Sequence, residues 1–335
     1  MVRSMSVDDL RPVRPDPAVL RDAARAAGYE AAAEELTWAV GPRMVRPQAT
    51  LFPLRLVYGE TTVRRAFYKV HRVNAQSVRT AADKRRTFLR VLRRGPHLSE
   101  QYRRLSAAIP VDMPTFLAVD VDRLTEVQTA IPGRPVQRVL LHGSPGRRAR
   151  ALRLYRALGT AVSVIERCTD DEMGDDPLPA LDLDLLAHTL AGALSTADIR
   201  RLQGLLSELH ADASARGELS YSHGDLGRGN LFINREGAGL IDALWSVRWR
   251  GDDLAYHAVR LRHELPRLPS WTARLMSEML AGYGDLRLAE RSEWLLTELW
   301  FEARVAAVRP RQPIDAFQRI QAVTRIKAAL GARAR

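Results

Sequence analysis

The chain has 335 residues, 46% of them apolar, enough for two lobes with a large core, and its composition excludes a disordered protein. Its one cysteine, Cys168, excludes an internal disulfide and suits a reducing compartment. The 51 basic against 39 acidic residues give a net charge of +12, scattered rather than interleaved with aromatics, so no nucleic-acid partner is expected, while association with an anionic membrane surface stays open. The first ten residues hold no apolar signal core and no window of about 18 apolar residues occurs, so a cytoplasmic protein without a membrane span is expected.

In chain order, residues 1–16 carry Pro12 and Pro15 and read as a flexible leader. An alanine-rich helix follows over 17–34, with Asp16 as N-cap, Pro17 at the first helical position and Gly28 interrupting it. Strands are expected over 36–40, 50–58 and 63–70, with a loop at 41–47 that contains one glycine and the cations Arg43 and Arg46. Lys69 lies in the apolar run Ala66-Phe67-Tyr68-Lys69-Val70, where an inward lysine needs a partner. A basic helix over 75–94 should end at Gly95-Pro96, and a second should begin near Leu98, with Glu100 in its first turn, where the helix dipole favours an acid.

Paired strands are expected over 115–118 and 123–129, then Ile131-Pro132-Gly133-Arg134-Pro135. Helices follow over 145–167 and 181–213 by leucine and alanine spacing. Seven acids fall between 170 and 184: a solvated loop is the common reading of such a run, and a rim for a cationic substrate is the other. After residue 253 the chain reads as helices near 255–264, 271–282, 287–308 and 313–331.

The chemistry concentrates in Tyr221-Ser222-His223-Gly224-Asp225-Leu226-Gly227-Arg228-Gly229-Asn230, followed by Leu240-Ile241-Asp242. The segment 231–241 reads as a hairpin that places Asn230 at the start of one strand and Asp242 at the end of the next, about 5 Å apart across an antiparallel pair. Asp225 is suited to accept a proton from an attacking hydroxyl, and Asn230 and Asp242 offer hard oxygens to Mg²⁺. His223 reads as a brace for the loop, and Arg228 as a loop support or phosphate contact.

His223, Asp225 and Asn230, with Asp242 and Asp253-Leu254-Ala255 behind them, resemble the catalytic and metal segments of the aminoglycoside phosphotransferase and choline kinase superfamily. The resemblance implies an α+β, bilobal, protein-kinase-like fold. Its small antiparallel-sheet lobe (17–131) would bind nucleotide, and its larger, mainly helical lobe (132–335) would carry catalysis and the acceptor. It implies ATP and Mg²⁺ as cofactors, with Asp225 as catalytic base and Asn230 and Asp242 as metal ligands. It also implies Lys69 on the inner phosphates, paired with Glu100, and the backbone of Glu126 to Gln128 against the adenine before an Ile-Pro-Gly-x-Pro hinge. The implied activity is transfer of a γ-phosphoryl group to a small-molecule hydroxyl, such as an aminoglycoside, amino alcohol or sugar. The alternative is a nucleotide-binding pseudokinase, suggested by the glycine-poor nucleotide loop and by Ala243-Leu244-Trp245 after the metal aspartate.

Overall fold

The computed structural model describes residues 14–29, 36–46, 49–58, 61–73, 78–136, 145–171, 173, 181–227, 229–233, 237–308 and 313–332. Residues 1–13 of the leader, Arg228, most of the acidic run and the tail 333–335 therefore lie outside the described residues. Two compact units divide the chain: Met1–Ser99 with Pro114–Ala130, and Glu100–Met113 with Ile131–Arg335.

The first unit is built on an antiparallel sheet of β1 (Leu36–Val40), β2 (Met44–Val45), β3 (Ala49–Tyr58), β4 (Thr61–His71), β6 (Phe116–Asp120) and β7 (Thr125–Thr129). Its order is β1-β3-β4-β7-β6, with β2 on β3. Alternation in β3 turns Phe52, Leu54 and Leu56 inward, and β4 adds Ala66 and Tyr68. Helix α1 (Pro17–Ala26) covers this face, packing Val19 and Ala23 against Phe52, Leu54, Ala66, Tyr68, Leu117 and Val127. Its start follows from the sequence: the Asp16 carboxylate accepts from Ala18 N at 2.8 Å, and Pro17 pre-sets the first turn. The helix stops at Ala26, just before Gly28.

Helix α2 (Val78–Leu105) differs from the two helices expected there, since it runs unbroken through Gly95-Pro96. A proline inside a helix costs about 3 kcal/mol. Burial of Leu92 before it and Leu98 and Tyr102 after it offsets that cost, because the apolar stripe continues across the proline. A Cβ at Gly95 would lie 2.8 Å from the Phe116 ring, so the glycine serves a close approach and not a stop. Glu100–Met113 group with the second unit, although they lie inside the 17–131 stretch. Tyr102 Oη donates to Val111 O at 2.9 Å, and β5 (Val111–Asp112) pairs in parallel with β11 (Ala238–Leu240).

The second unit is mainly helical, as its sequence predicts, and carries two small sheets. One has the order β5-β11-β10-β8, with β8 (Arg134–Pro135) and β10 (Leu231–Ile233); the other pairs β9 (Leu219–Ser222) with β12 (Ser246–Trp249). The helices are α3 (Pro145–Ile165), α4 (Leu183–Leu190), α5 (Thr196–Arg216), α6 (Asp252–Glu264), α7 (Pro269–Tyr283), α8 (Ser292–Ala307) and α9 (Pro313–Ala332). The single helix expected over 181–213 is two. Ser195 caps the second, its hydroxyl accepting from Asp198 N at 3.1 Å, and this Ser-x-x-Asp start overrides the leucine spacing. Leucines of α4 and α5 meet Trp249 and the apolar faces of α8 and α9 in one core.

Helices α3 and α7 touch backbone to backbone: a Cβ on Gly159 would lie 1.8 Å from Met279 O, and one on Gly282 1.8 Å from Arg156 O. None of the described helices is long and apolar enough to cross a membrane. Gly282→Ala should therefore cost about 2 kcal/mol or more in urea unfolding, because the helices must part. Gly204→Ala, on α5 with nothing within 4 Å of the added methyl, should instead gain about 1 kcal/mol from helix propensity.

Candidate active site

Two loops of the second unit hold the motif residues. The first links β9 to β10 and carries His223, Asp225 and Asn230; the second links β11 to β12 and carries Asp242. The hairpin register pairs Leu231 with Leu240, and Ile241 N donates to Asn230 O at 2.9 Å, so Asn230 and Asp242 flank one hairpin mouth. The loops are tied together where Leu244 N donates to His223 O at 2.7 Å. Gly224 has φ +79°, and a Cβ there would meet Ser246 Oγ at 2.5 Å and Leu244 Cβ at 3.1 Å, so both conformation and space demand glycine. Asp242 is itself left-handed, with φ 59°, a conformation that aspartate tolerates better than bulky residues; buried Trp245 adopts φ 47° three residues on.

Asp225 is exposed, and both its carboxylate oxygens are oriented. Asn230 Nδ2 donates to Oδ2 at 3.0 Å and to the backbone carbonyl of the same residue at 2.9 Å, while Tyr256 Oη donates to Oδ1 at 3.3 Å. Since the amide nitrogen of Asn230 faces Asp225, its Oδ1 is the atom left to offer a cation.

Helix α6 shapes this loop from below. Its second residue, Asp253, is buried and accepts from His223 N at 2.5 Å and from Gly224 N at 2.9 Å. Four residues on, His257 is buried too, with Nδ1 2.8 Å from Leu226 O and Nε2 3.2 Å from Tyr155 Oη. A carbonyl only accepts, so His257 carries its proton on Nδ1 and takes a hydrogen bond from Tyr155 at Nε2. The start of α6 is fixed by buried Glu166, which accepts from Gly251 N at 2.7 Å and from the Tyr283 hydroxyl, and by Thr297, whose hydroxyl donates to Asp252 at 2.7 Å.

Burial decides the charges beneath the loop. It pushes Asp253 up to about 7, with help from neighbouring Asp252 and against the two backbone donors. It pushes His223 down to about 4, although Asp225, Asp242 and the Ile241 backbone favour the cation. It pushes His257 down to about 4 as well. Among the described residues, neither ring nitrogen of His223 has a partner of hydrogen-bonding geometry. His223 is thus a neutral, buried part of the scaffold.

In the first unit, Lys69 Nζ lies 3.1 Å and His71 Nε2 3.3 Å from Glu126 Oε1, ion contacts whose angles fall short of hydrogen-bond geometry. Burial alone would raise the Glu126 carboxyl, but the Lys69 charge and His71 outweigh it and hold the group below the usual range. Within this unit the glutamate that meets Lys69 is Glu126. Glu100 is held within its own helix, its Oε1 2.7 Å from Arg103 and 2.9 Å from Arg104. The backbone of Glu126 to Gln128 lies in interior strand β7, with Glu126 opposite Lys69 on one side and Val119 on the other, and Gln128 opposite Phe67 and Phe116, where the register with β6 shifts.

The donor set fits Mg²⁺. Among the described residues no group of three or more His, Cys, Asp or Glu side chains is placed to hold a metal. The oxygens at the hairpin mouth come from Asn230 and exposed Asp242, and a protein contribution of one or two hard oxygens is what an ion that keeps waters and phosphates requires. The geometry can hold such an ion beside an oriented, exposed carboxylate. Sequence reasoning missed His257 and Tyr256, although Asp253 and His257 at i, i+4 share one face of a helix, a spacing that can be read from the chain.

No family model matches the chain, and no curated protein matches it in sequence. Among solved structures it is similar to a candidate fructosamine-3-kinase from Thermobifida fusca, at 20% identity and TM-score 0.55, over 95% of this chain and 99% of that one. It is also similar to a choline/ethanolamine kinase family protein from Mesorhizobium loti, at 15% identity and TM-score 0.50, over 92% of this chain and 93% of that one. The chain has the protein-kinase-like fold that its motifs imply.

Asp253→Asn should lose about 2–3 kcal/mol in denaturant unfolding, because an amide N–H₂ would face a backbone N–H that now has an acceptor. The pH dependence has a defined sign. His257 is neutral when folded down to about 4 but protonates near 6.5 when unfolded, so its contribution is full above pH 6.5 and fades as pH falls toward 4. Asp253, raised to about 7, acts oppositely: its contribution is full below pH 3.8 and is lost as pH rises toward 7. The difference between wild type and His257→Gln isolates the first effect. The variant should flatten the acid-side loss by up to about 3 kcal/mol, measured by urea unfolding at a series of pH values.

Proposed function

We propose that this protein is a small-molecule O-kinase that transfers the γ-phosphoryl group of ATP to a hydroxyl acceptor. The observation that carries the reading is Asp225, exposed and held by Asn230 and Tyr256, on a loop whose backbone is pinned by Asp253. A carboxylate with both oxygens oriented keeps lone pairs for one further donor, the acceptor's hydroxyl. That hydroxyl attacks phosphorus in line, its proton passes to Asp225, the bond from phosphorus to the departing diphosphate breaks, and ADP leaves.

Asn230 Oδ1 and the Asp242 carboxylate are the proposed Mg²⁺ ligands, and bound Mg²⁺ neutralises charge on the triphosphate. Lys69 is assigned to the inner phosphates, with Glu126 in place of Glu100 as the acid that holds it extended. His223, neutral and buried, orders the loop and carries no proton in the reaction. The adenine is assigned to the chain just beyond β7, where the backbone leaves the sheet. A cytoplasmic setting belongs to the proposal. Burial pushes the Cys168 thiol up to about 12, so this cysteine is an inert packing residue.

The test is release of ADP with Mg²⁺ and ATP across hydroxyl compounds. Asp225→Ala should lower acceptor-stimulated turnover by about 10²–10⁴-fold while nucleotide still binds. Undiminished turnover in that variant would sink the assignment, and nucleotide binding without transfer by the wild type would favour a pseudokinase.

A further inference from the structure

Tyr256, which touches Asp225, heads a cluster of four side chains that no motif singles out. Tyr256 of α6 bonds Asp225 through its hydroxyl, and its ring lies 4.4 Å from that of Phe301 on α8. The Arg260 guanidinium sits 6.0 Å from the Tyr256 ring centre and the Arg304 guanidinium 5.6 Å from that of Phe301. Tyr256 and Arg260 are one turn apart on α6, and Phe301 and Arg304 are three apart on α8, so each helix presents one aromatic and one cation on the same stripe. Both rings are partly exposed and both arginines exposed.

Charge separates this cluster from ordinary solvated arginines. Arg260 is balanced in part by Glu264 at 3.4 Å. Arg304 makes no ion pair among the described residues. Both cations reach the phenol that touches Asp225: they lower the Tyr256 hydroxyl against the burial and the Asp225 charge that raise it. A guanidinium beside an aromatic ring keeps its edge N–H groups available for a carboxylate or phosphate, whereas an ammonium brought there meets two like charges. Of the acidic run, Asp170 accepts from the Tyr221 hydroxyl at 2.7 Å.

On the phosphotransferase reading of this site, we propose that the acceptor is an anionic hydroxyl compound. Its carboxylate or phosphate binds Arg304 and Arg260, its carbon skeleton lies on Tyr256 and Phe301, and its hydroxyl reaches Asp225. Phosphorylation then joins the γ-phosphorus to that hydroxyl oxygen, as ADP departs and the proton passes to Asp225. The acceptor class is thus opposite in charge to an amino sugar or a choline-like alcohol.

The experiment uses the full chain with Mg²⁺ and ATP and matched acceptors that differ in charge: D-glucose, D-glucosamine, D-glucuronate and D-glucose 6-phosphate, then choline against D-glycerate. Thermal shift reports binding, and ADP release reports turnover. At least one anionic member should bind and stimulate ADP release, with kcat/KM about tenfold or more above its neutral and cationic counterparts. The carboxylate and phosphate arms show which anion is preferred. Arg304→Gln should raise KM for that anion about tenfold with a smaller change in kcat, Arg304→Lys should recover part of the loss, and Arg274→Gln, at an exposed position of α7, should match wild type. Preference for a cationic or neutral member overturns the inference, as does an Arg304→Gln variant that behaves like Arg274→Gln. Failure of every anion to bind or stimulate, with ATP still bound, overturns it too and leaves the kinase reading standing. Failure of ATP itself to bind removes that reading first, and the inference with it.

Discussion

One buried carboxylate gives the loop of His223, Asp225 and Asn230 its shape. Asp253 takes hydrogen bonds from the consecutive amides of His223 and Gly224, groups that the fold removes from water and that the local chain gives no other acceptor. The carboxylate sits in the first turn of α6, where the amide dipoles favour an acid. Around it, burial keeps His223 and His257 neutral and raises Asp253 itself. The floor of the site is therefore a hydrogen-bonded scaffold of weakly charged groups, while the exposed face presents Asp225 and Asp242. The two exposed carboxylates thus stand above a layer that resists charging.

The separation extends to the backbone. Asp242 at φ 59° and Trp245 at φ 47° hold left-handed conformations that cost free energy in isolation, whereas Gly224 at φ +79° adopts one that glycine takes freely. They are retained because neighbouring contacts over-determine them: the Asp253 clamp on one loop, the hairpin ladder on the other, and the Leu244 to His223 hydrogen bond between them. Trp245, left-handed and fully buried against Tyr221, closes the second loop from within.

Legibility in the sequence followed the distance over which each feature is specified. Asp225, Asn230 and Asp242 lie within eighteen residues of one another, and a hairpin with glycines at its turn brings them together, so spacing alone predicts the grouping. The α+β division was readable for the same reason: period-two runs cluster early and helical runs late. The contact of Lys69 with Glu126 was not. It is set by the antiparallel register of β4 with β7, which places Glu126 opposite Lys69, and no local pattern signals it. Local rules also failed where tertiary burial outweighed them, as at Pro96 inside α2, and where a cap outweighed periodicity, as at Ser195 before α5.

Helix α6 carries two adjacent stripes with different obligations. Asp253 and His257 face the loop and are tied to its backbone, whereas Tyr256 and Arg260, on the neighbouring stripe, meet partly exposed surface beside Asp225. In evolutionary terms this is modularity at the scale of one helix. Substitutions on the outer stripe can reshape the exposed surface beside Asp225 without loosening the amides that shape the loop, so one side of the helix is free to drift while the other is held.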